Sequence, residues 1–228
     1  MGPAEDPVPA APLAPFDGYL FDLDGTLVDS APDLTAALCQ ALTFGGFKPV
    51  SEATTRDWVG HGARVLMERA VAAQAQSVEV AALDAMHRHF LDWYAEHIAD
   101  RSQPYPGVVS ALRTLADRGA GLAVVTNKPA GLSAALLEAL DLDRYFPVVV
   151  GGDTAAKAKP DAAPAILACE QLGLATSQVL FVGDSATDVG CARAFGAPVA
   201  CVSYGYRAGM SLDDLAADHL IDSLEALI

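Results

Sequence analysis

Two aspartates stand two residues apart in Phe21-Asp22-Leu23-Asp24-Gly25-Thr26-Leu27, directly after the apolar run that begins at Gly18. Side chains alternate along an extended chain, so Asp22 and Asp24 leave on one side and Leu23 on the other. Anions held this close repel, and each raises the other's pKa unless a cation sits between them. Such a pair asks for a cation. Once it is supplied, one carboxylate can serve as a nucleophile and the other as an acid and base.

Further polar residues stand where later apolar runs end. They are Thr126-Asn127-Lys128, then Lys157 and Lys159, then Gly183-Asp184-Ser185 with Asp188 a turn on, and finally Ser203-Tyr204-Gly205-Tyr206-Arg207. Asp22, Asp24 and Asp184 make an oxygen-only, highly charged set that suits a hard divalent cation, Mg²⁺ before Ca²⁺. With the cation in place a phosphate dianion can approach. Lys159 adds a second positive charge, and Thr126 and Asn127 can donate hydrogen bonds to phosphoryl oxygens. The expected reaction is attack on phosphorus by Asp22, which lies nearer the rigid strand. Asp24 then protonates the leaving oxygen and later takes a proton from the water that hydrolyses the aspartyl phosphate.

These residues need a scaffold that brings them to one rim. Continuous Val/Leu/Ile runs at 18–23, 121–126, 147–151, 178–182 and 199–203 alternate, after residue 101, with helical patterns at 108–118, 130–140, 161–172 and 187–195. Strands of that kind are buried on both faces and belong to a parallel sheet. Ligands of such sheets bind beyond the carboxyl ends of the strands, near the point where strand order reverses. The expected fold is therefore a doubly wound, Rossmann-like α/β core, made of residues 16–30 and 101–228. A small α-helical cap at 31–100 is inserted after the first strand, with helical patterns at 51–59, 62–73 and 78–98. Its first helix starts at Ser30, the expected cap, with Asp33 three residues on as a capping-box variant. In Gly60-His61-Gly62-Ala63-Arg64, two glycines let the backbone approach a ligand, and Arg64 is a candidate partner for a carboxylate on the leaving group.

Composition narrows the partners. The 228 residues carry 29 acidic and 14 basic side chains, a formal charge of −15. Non-specific nucleic-acid binding draws its affinity from Lys and Arg on phosphates, so it is not expected. No apolar run approaches a membrane span. The Pro/Ala stretch at 1–15 reads as a disordered tail rather than a targeting signal. Four scattered cysteines without a C-x-x-C pair point to reduced thiols and a cytoplasmic setting. His87 and His89 point apart on a helix and make no zinc site. The expected partner is a small phosphorylated metabolite, and a monomer or a homodimer fits equally.

Asp22-Leu23-Asp24-Gly25-Thr26-Leu27 resembles the first motif of the haloacid dehalogenase superfamily. Val125-Thr126-Asn127 resembles its second, Lys159-Pro160 its third and Gly183-Asp184-Ser185-Ala186-Thr187-Asp188 its fourth. The resemblance implies Asp22 as nucleophile and Asp24 as acid/base. It implies Asp22, the Asp24 carbonyl and Asp184 as Mg²⁺ ligands, Asp188 beside them, and Thr126, Asn127 and Lys159 around the phosphate. Within the superfamily, Asp24 to Leu34, Trp58 to Arg64, Val125 to Pro129 and Tyr204-Gly205-Tyr206 are similar to bacterial phosphoglycolate phosphatases, which implies 2-phosphoglycolate as substrate. Lys157-Ala158-Lys159-Pro160 departs from the adjacent lysines frequent in that group, and the role falls to Lys159. Another small phosphomonoester, such as a sugar or amino-sugar acid phosphate, fits the same motifs. A phosphomutase is disfavoured, because no histidine stands in the first cap helix. A dehalogenase is disfavoured by Asp24 and Asp184, a phosphonate hydrolase by a cap whose one lysine is Lys48, and a non-catalytic binding protein by the retention of both Asp22 and Asp24.

Overall fold

Gly18–Phe21 forms strand β1 and is buried along its whole length, as a run apolar on both faces requires. In the computed structural model, which describes Leu13 and residues 15–228, β1 is an inner strand of a six-stranded sheet. Its companions are β4 (Gly121–Val125), β5 (Val148–Val150), β6 (Val179–Gly183), β7 (Val199–Val202) and β8 (His219–Ile221), in the order β5-β4-β1-β6-β7-β8. Every ladder between them is parallel. The expected Pro/Ala tail lies outside the described residues except for Leu13 and Pro15, and Leu13 packs against the core.

Alternation along β1 divides the interior in two. Tyr19 and Phe21 meet helices α5 (Val108–Asp117) and α6 (Ala130–Ala139), while Leu20 faces α7 (Ala163–Leu172) and α8 (Ala186–Phe195). The sequence reading has five strands, and the structure adds β8. That strand is three residues long at the sheet edge, and only Ile221 of it is buried. It therefore carries none of the continuous apolar signal of the inner strands.

Between β1 and β4 the chain forms helices α1 (Ala31–Phe44), α2 (Glu52–Arg56), α3 (Ala63–Ala72) and α4 (Val80–Glu96). Leu38, Leu42, Met67, Met86 and Phe90 gather into a third core of their own. The helical region leaves and rejoins the sheet through a short antiparallel pair, β2 (Val28–Asp29) with β3 (Gln103–Pro104). Two residues a side give no periodicity, and neither strand is legible in advance.

The expected capping box at Ser30 is not formed. Ser30 stands at the N-cap of α1, but its hydroxyl makes no cap bond and donates instead to Asp24 Oδ1 at 2.5 Å. Its backbone is helical, at φ −97° and ψ −5°, and not in the extended conformation from which an N-cap oxygen reaches the amides of the first turn. Asp33 is likewise engaged elsewhere: its Oδ2 accepts from the amides of Arg101 at 3.0 Å and Ser102 at 2.8 Å and from the Ser102 hydroxyl at 2.6 Å. It ties the start of the helical region to its return.

Candidate active site

β1 and β6 are neighbours, yet the chain leaves β1 toward β4 on one side and leaves β6 toward β7 on the other. The crevice at the carboxyl ends of two strands that part in this way is where a doubly wound sheet binds its ligand. Asp22 follows β1, Asp184 follows β6, and Asp188 lies in the first turn of α8. One oxygen of each lies within 4.8 Å of the others, and all three residues are buried. Gly25, at φ 92°, and Gly205 make room for them, since a Cβ on either would overlap the Asp184 carboxylate.

The hydrogen bonds assign these carboxylates different tasks. Thr26 Oγ1 donates to Asp184 Oδ1 at 3.1 Å, and the Tyr206 amide donates to Asp184 Oδ2. Asp188 Oδ2 accepts from the amides of Asp184 and Ser185 at 3.2 and 3.0 Å and from the Ser185 hydroxyl at 2.6 Å. Asp188 Oδ1 accepts from Lys159 Nζ at 2.7 Å, and that ammonium also donates to the Val125 carbonyl at 2.7 Å. Asp188 is thus a frame for Lys159 and for the start of α8. Lys159 Nζ approaches Asp22 Oδ1 to 2.8 Å as an ion pair. Apart from that ammonium, which it shares with Asp188, this buried oxygen meets no donor.

Three buried carboxylates face one ammonium. Burial pushes Asp22 up to about 6, with Lys159 opposing the shift and Asp188 adding to it. Burial, then Asp188 and Asp22, raise Asp184 well above the ordinary carboxylate range. Burial pulls Lys159 down, but Asp188 and Asp22 outweigh it and hold the ammonium above its usual value. An excess of buried anionic oxygens, one of them meeting no donor beyond that ammonium, fits a hard divalent cation.

The Asp24 carboxylate lies outside this cluster. Its position at a strand end groups it with Asp22 and Asp184; in the structure the third carboxylate of that group is Asp188, the residue the resemblance sets beside the ligands. Asp24 turns to Lys128, whose Nζ donates to its two oxygens at 2.9 and 3.1 Å. The same Nζ donates to the Tyr94 hydroxyl of α4 at 2.8 Å and sits 4.5 Å from the centroid of that ring. Lys128 and Tyr94 were not among the predicted site residues. Lys128 carried a signal, because it follows Thr126-Asn127 directly at a strand end. Tyr94 carried none, because four residues after Phe90 it reads as one more core position of an amphipathic helix.

The remaining candidates separate. Thr126 is buried at the rim, and its Oγ1 accepts from the Lys128 amide at 3.3 Å. Asn127 is a brace: its Nδ2 donates to the carbonyls of Gly60 at 2.9 Å and Lys159 at 3.1 Å, and its Oδ1 accepts from the Lys159 amide at 2.9 Å. Lys157 is solvent-exposed and paired with Asp161 at 3.1 Å. Arg64 pairs with Asp84 at 2.5 Å and Glu68 at 3.3 Å within the helical region. His61 is exposed, and neither it nor Arg64 lines the cavity over the rim. That cavity measures about 50 Å³. Asp22, Asp24, Thr126 and Lys128 form its polar end, and Leu34, Val59, Leu66, Phe90 and Leu132 form much of its wall.

Comparison with known proteins places this geometry. The sequence pattern of haloacid dehalogenase-like hydrolases matches residues 19–202. The chain is 45% identical over 187 residues to a phosphoglycolate phosphatase of Mesorhizobium japonicum, covering 82% of each chain. It is 38% identical to the phosphoglycolate phosphatase of Escherichia coli, covering 92% of this chain and 90% of that one. A crystal structure described as a predicted phosphoglycolate phosphatase from Haemophilus somnus superposes with a TM-score of 0.87 at 35% identity, over 92% of this chain and 95% of that one.

Proposed function

The chain belongs to the haloacid dehalogenase-like hydrolases, and we propose that it hydrolyses 2-phosphoglycolate to glycolate and inorganic phosphate through an aspartyl phosphate on Asp22. The observation that carries this reading is the buried Asp22 carboxylate at the polar end of the cavity, held 2.8 Å from Lys159 and grouped with Asp184 and Asp188. The names of relatives at 38% to 45% identity support the choice of substrate.

In the first step an Asp22 oxygen bonds to phosphorus in line with the departing oxygen, and Asp24 gives that oxygen its proton as the P–O bond breaks. An alkoxide leaves poorly, so the proton matters. In the second step Asp24 takes a proton from water as that water attacks phosphorus, which releases phosphate and restores Asp22. Lys159 remains beside Asp22 as a fixed positive charge toward the phosphoryl oxygens, and Asp188 keeps it there. Thr126 and Asn127 complete the rim, Asn127 mainly by bracing the loops that bear Gly60 and Lys159. Asp22, Asp184 and the Asp24 carbonyl are the groups that would hold Mg²⁺. When bound, the ion offsets repulsion between carboxylate and phosphate and polarises the phosphoryl group.

The helical region over the rim acts as a cap that limits water and admits small substrates. No helix among the described residues is long and apolar enough to cross a membrane. The four cysteines are unpaired, and both facts support a cytoplasmic setting. The test is phosphate release from a panel of small phosphomonoesters in the presence of Mg²⁺. We expect 2-phosphoglycolate to give the highest kcat/KM; a low rank for it would remove the substrate assignment and leave the phosphatase.

A further inference from the structure

We propose, building on the substrate reading above, that Lys128 and the hydroxyl of Tyr94 receive the carboxylate of the departing glycolate. A carboxylate among Leu34, Val59, Leu66 and Phe90 loses its hydration without return unless a cation meets it. Among the described residues Lys128 is the one cation lining the cavity. Arg64, the expected candidate, is taken by Asp84 and Glu68. Lys159 does not line the cavity and is balanced by two carboxylates, Asp188 and Asp22, at the phosphate end, whereas Lys128 lines it and is balanced by Asp24 alone.

The local geometry suits the task. Lys128 and Tyr94 are 6% and 1% exposed, so neither side chain is a mobile surface group. The Tyr94 hydroxyl accepts from Lys128 Nζ at 2.8 Å, which leaves its own proton to donate into the cavity. Lys128 Nζ also touches both oxygens of Asp24. A carboxylate received there lies next to the acid that must meet the leaving oxygen. In glycolate the two functional groups are on adjacent carbons, so binding one presents the other. The pair comes from different parts of the molecule, Lys128 from the loop after β4 and Tyr94 from the cap helix α4. The anion is therefore bound where cap and core meet.

The test compares 2-phosphoglycolate with ethyl phosphate, the same two-carbon monoester without the carboxylate, in the wild type, Tyr94→Phe and Lys128→Met. The readout is the ratio of kcat/KM for the two substrates, which cancels losses common to both. Lys128→Met is expected to lower the ratio roughly 10- to 100-fold, the range for a hydrogen bond to a charged group. Tyr94→Phe keeps the ring and is expected to fold, with a loss of roughly 2- to 10-fold. A selective wild type whose ratio is unchanged in Tyr94→Phe overturns the proposal even if Lys128→Met does not fold. A wild type that does not distinguish the two substrates removes the substrate reading, and this proposal with it.

Discussion

Two ionic clusters meet at the rim, one beside Asp22 and one around Asp24, and they are built in different ways. Asp184, Asp188 and Lys159 are held largely by backbone: amides of the β6–α8 turn, the Val125 carbonyl and the Tyr206 amide. Asp24, Lys128, Tyr94 and Ser30 are held by one another's side chains, which come from four separate places in the chain. The first is a rigid fixture of the sheet rim. The second is completed only when α4 brings Tyr94 onto the core, where Asp24, Ser30 and Lys128 already meet. A site divided in this way can keep Asp22, Asp24 and the rim constant while Tyr94, carried by α4, is the member free to vary with the alcohol that departs.

Substitutions test this division, and the rim should be the less tolerant side. Asp22→Asn should lower kcat by at least about 10⁴-fold with the fold intact, as loss of a nucleophile does; circular dichroism alongside phosphate release checks both. Asp188→Ala removes one of the two carboxylates beside Lys159 and the acceptor of two buried amides, and should cost about 1–3 kcal/mol in chemical denaturation. Equal tolerance of that change and of Ser30→Ala would erase the distinction between the clusters.

A gentler probe is pH. The folded value of Asp22 lies near 6, above its ordinary 3.8. The stability this group contributes is fully present below the unfolded value and is lost as pH rises through the folded one. Chelator-treated protein should therefore melt at a lower temperature at about pH 7.5 than at about pH 5.5. Added Mg²⁺ should restore stability at the higher pH, because the ion binds only the folded form. A melting temperature indifferent to Mg²⁺ at the higher pH would contradict the cation assignment. The smallest effect is expected from Ser30→Ala, which removes one hydrogen bond to Asp24. It should reduce kcat by up to roughly 10-fold with little change in stability.

The same division explains what could be read from the amino-acid sequence. A strand end is a local event: alternation and an apolar run place Asp22, Thr126 and Asp184 at one rim before any tertiary contact is known. The strands β1, β4, β5, β6 and β7 are legible for that reason, and the helical insert follows from its 3.6-residue periodicity. The pairing of Lys128 with Asp24 depends on residues 104 positions apart in the chain. That of Tyr94 with Lys128 depends on how α4 settles on the core. Local pattern carries neither. Arg64 shows the same limit from the other side: a cation beside two glycines reads as a ligand site, and in the structure it pairs with Asp84, one helix away, and does not line the cavity. Asp24 pairs with the Lys128 ammonium, where strand geometry alone would group its carboxylate with Asp22 and Asp184.

We expect Asp22 to become phosphorylated during turnover. This is tested most directly by rapid quenching of the protein during turnover of 2-phosphoglycolate, reduction with borohydride and peptide mapping by mass spectrometry. An acyl phosphate on Asp22 would be reduced at that carboxyl and leave homoserine at position 22. Reduction at Asp22, absent without substrate, is the result this account predicts. Phosphate release without any reduced carboxyl, or reduction at Asp24 in place of Asp22, would contradict it.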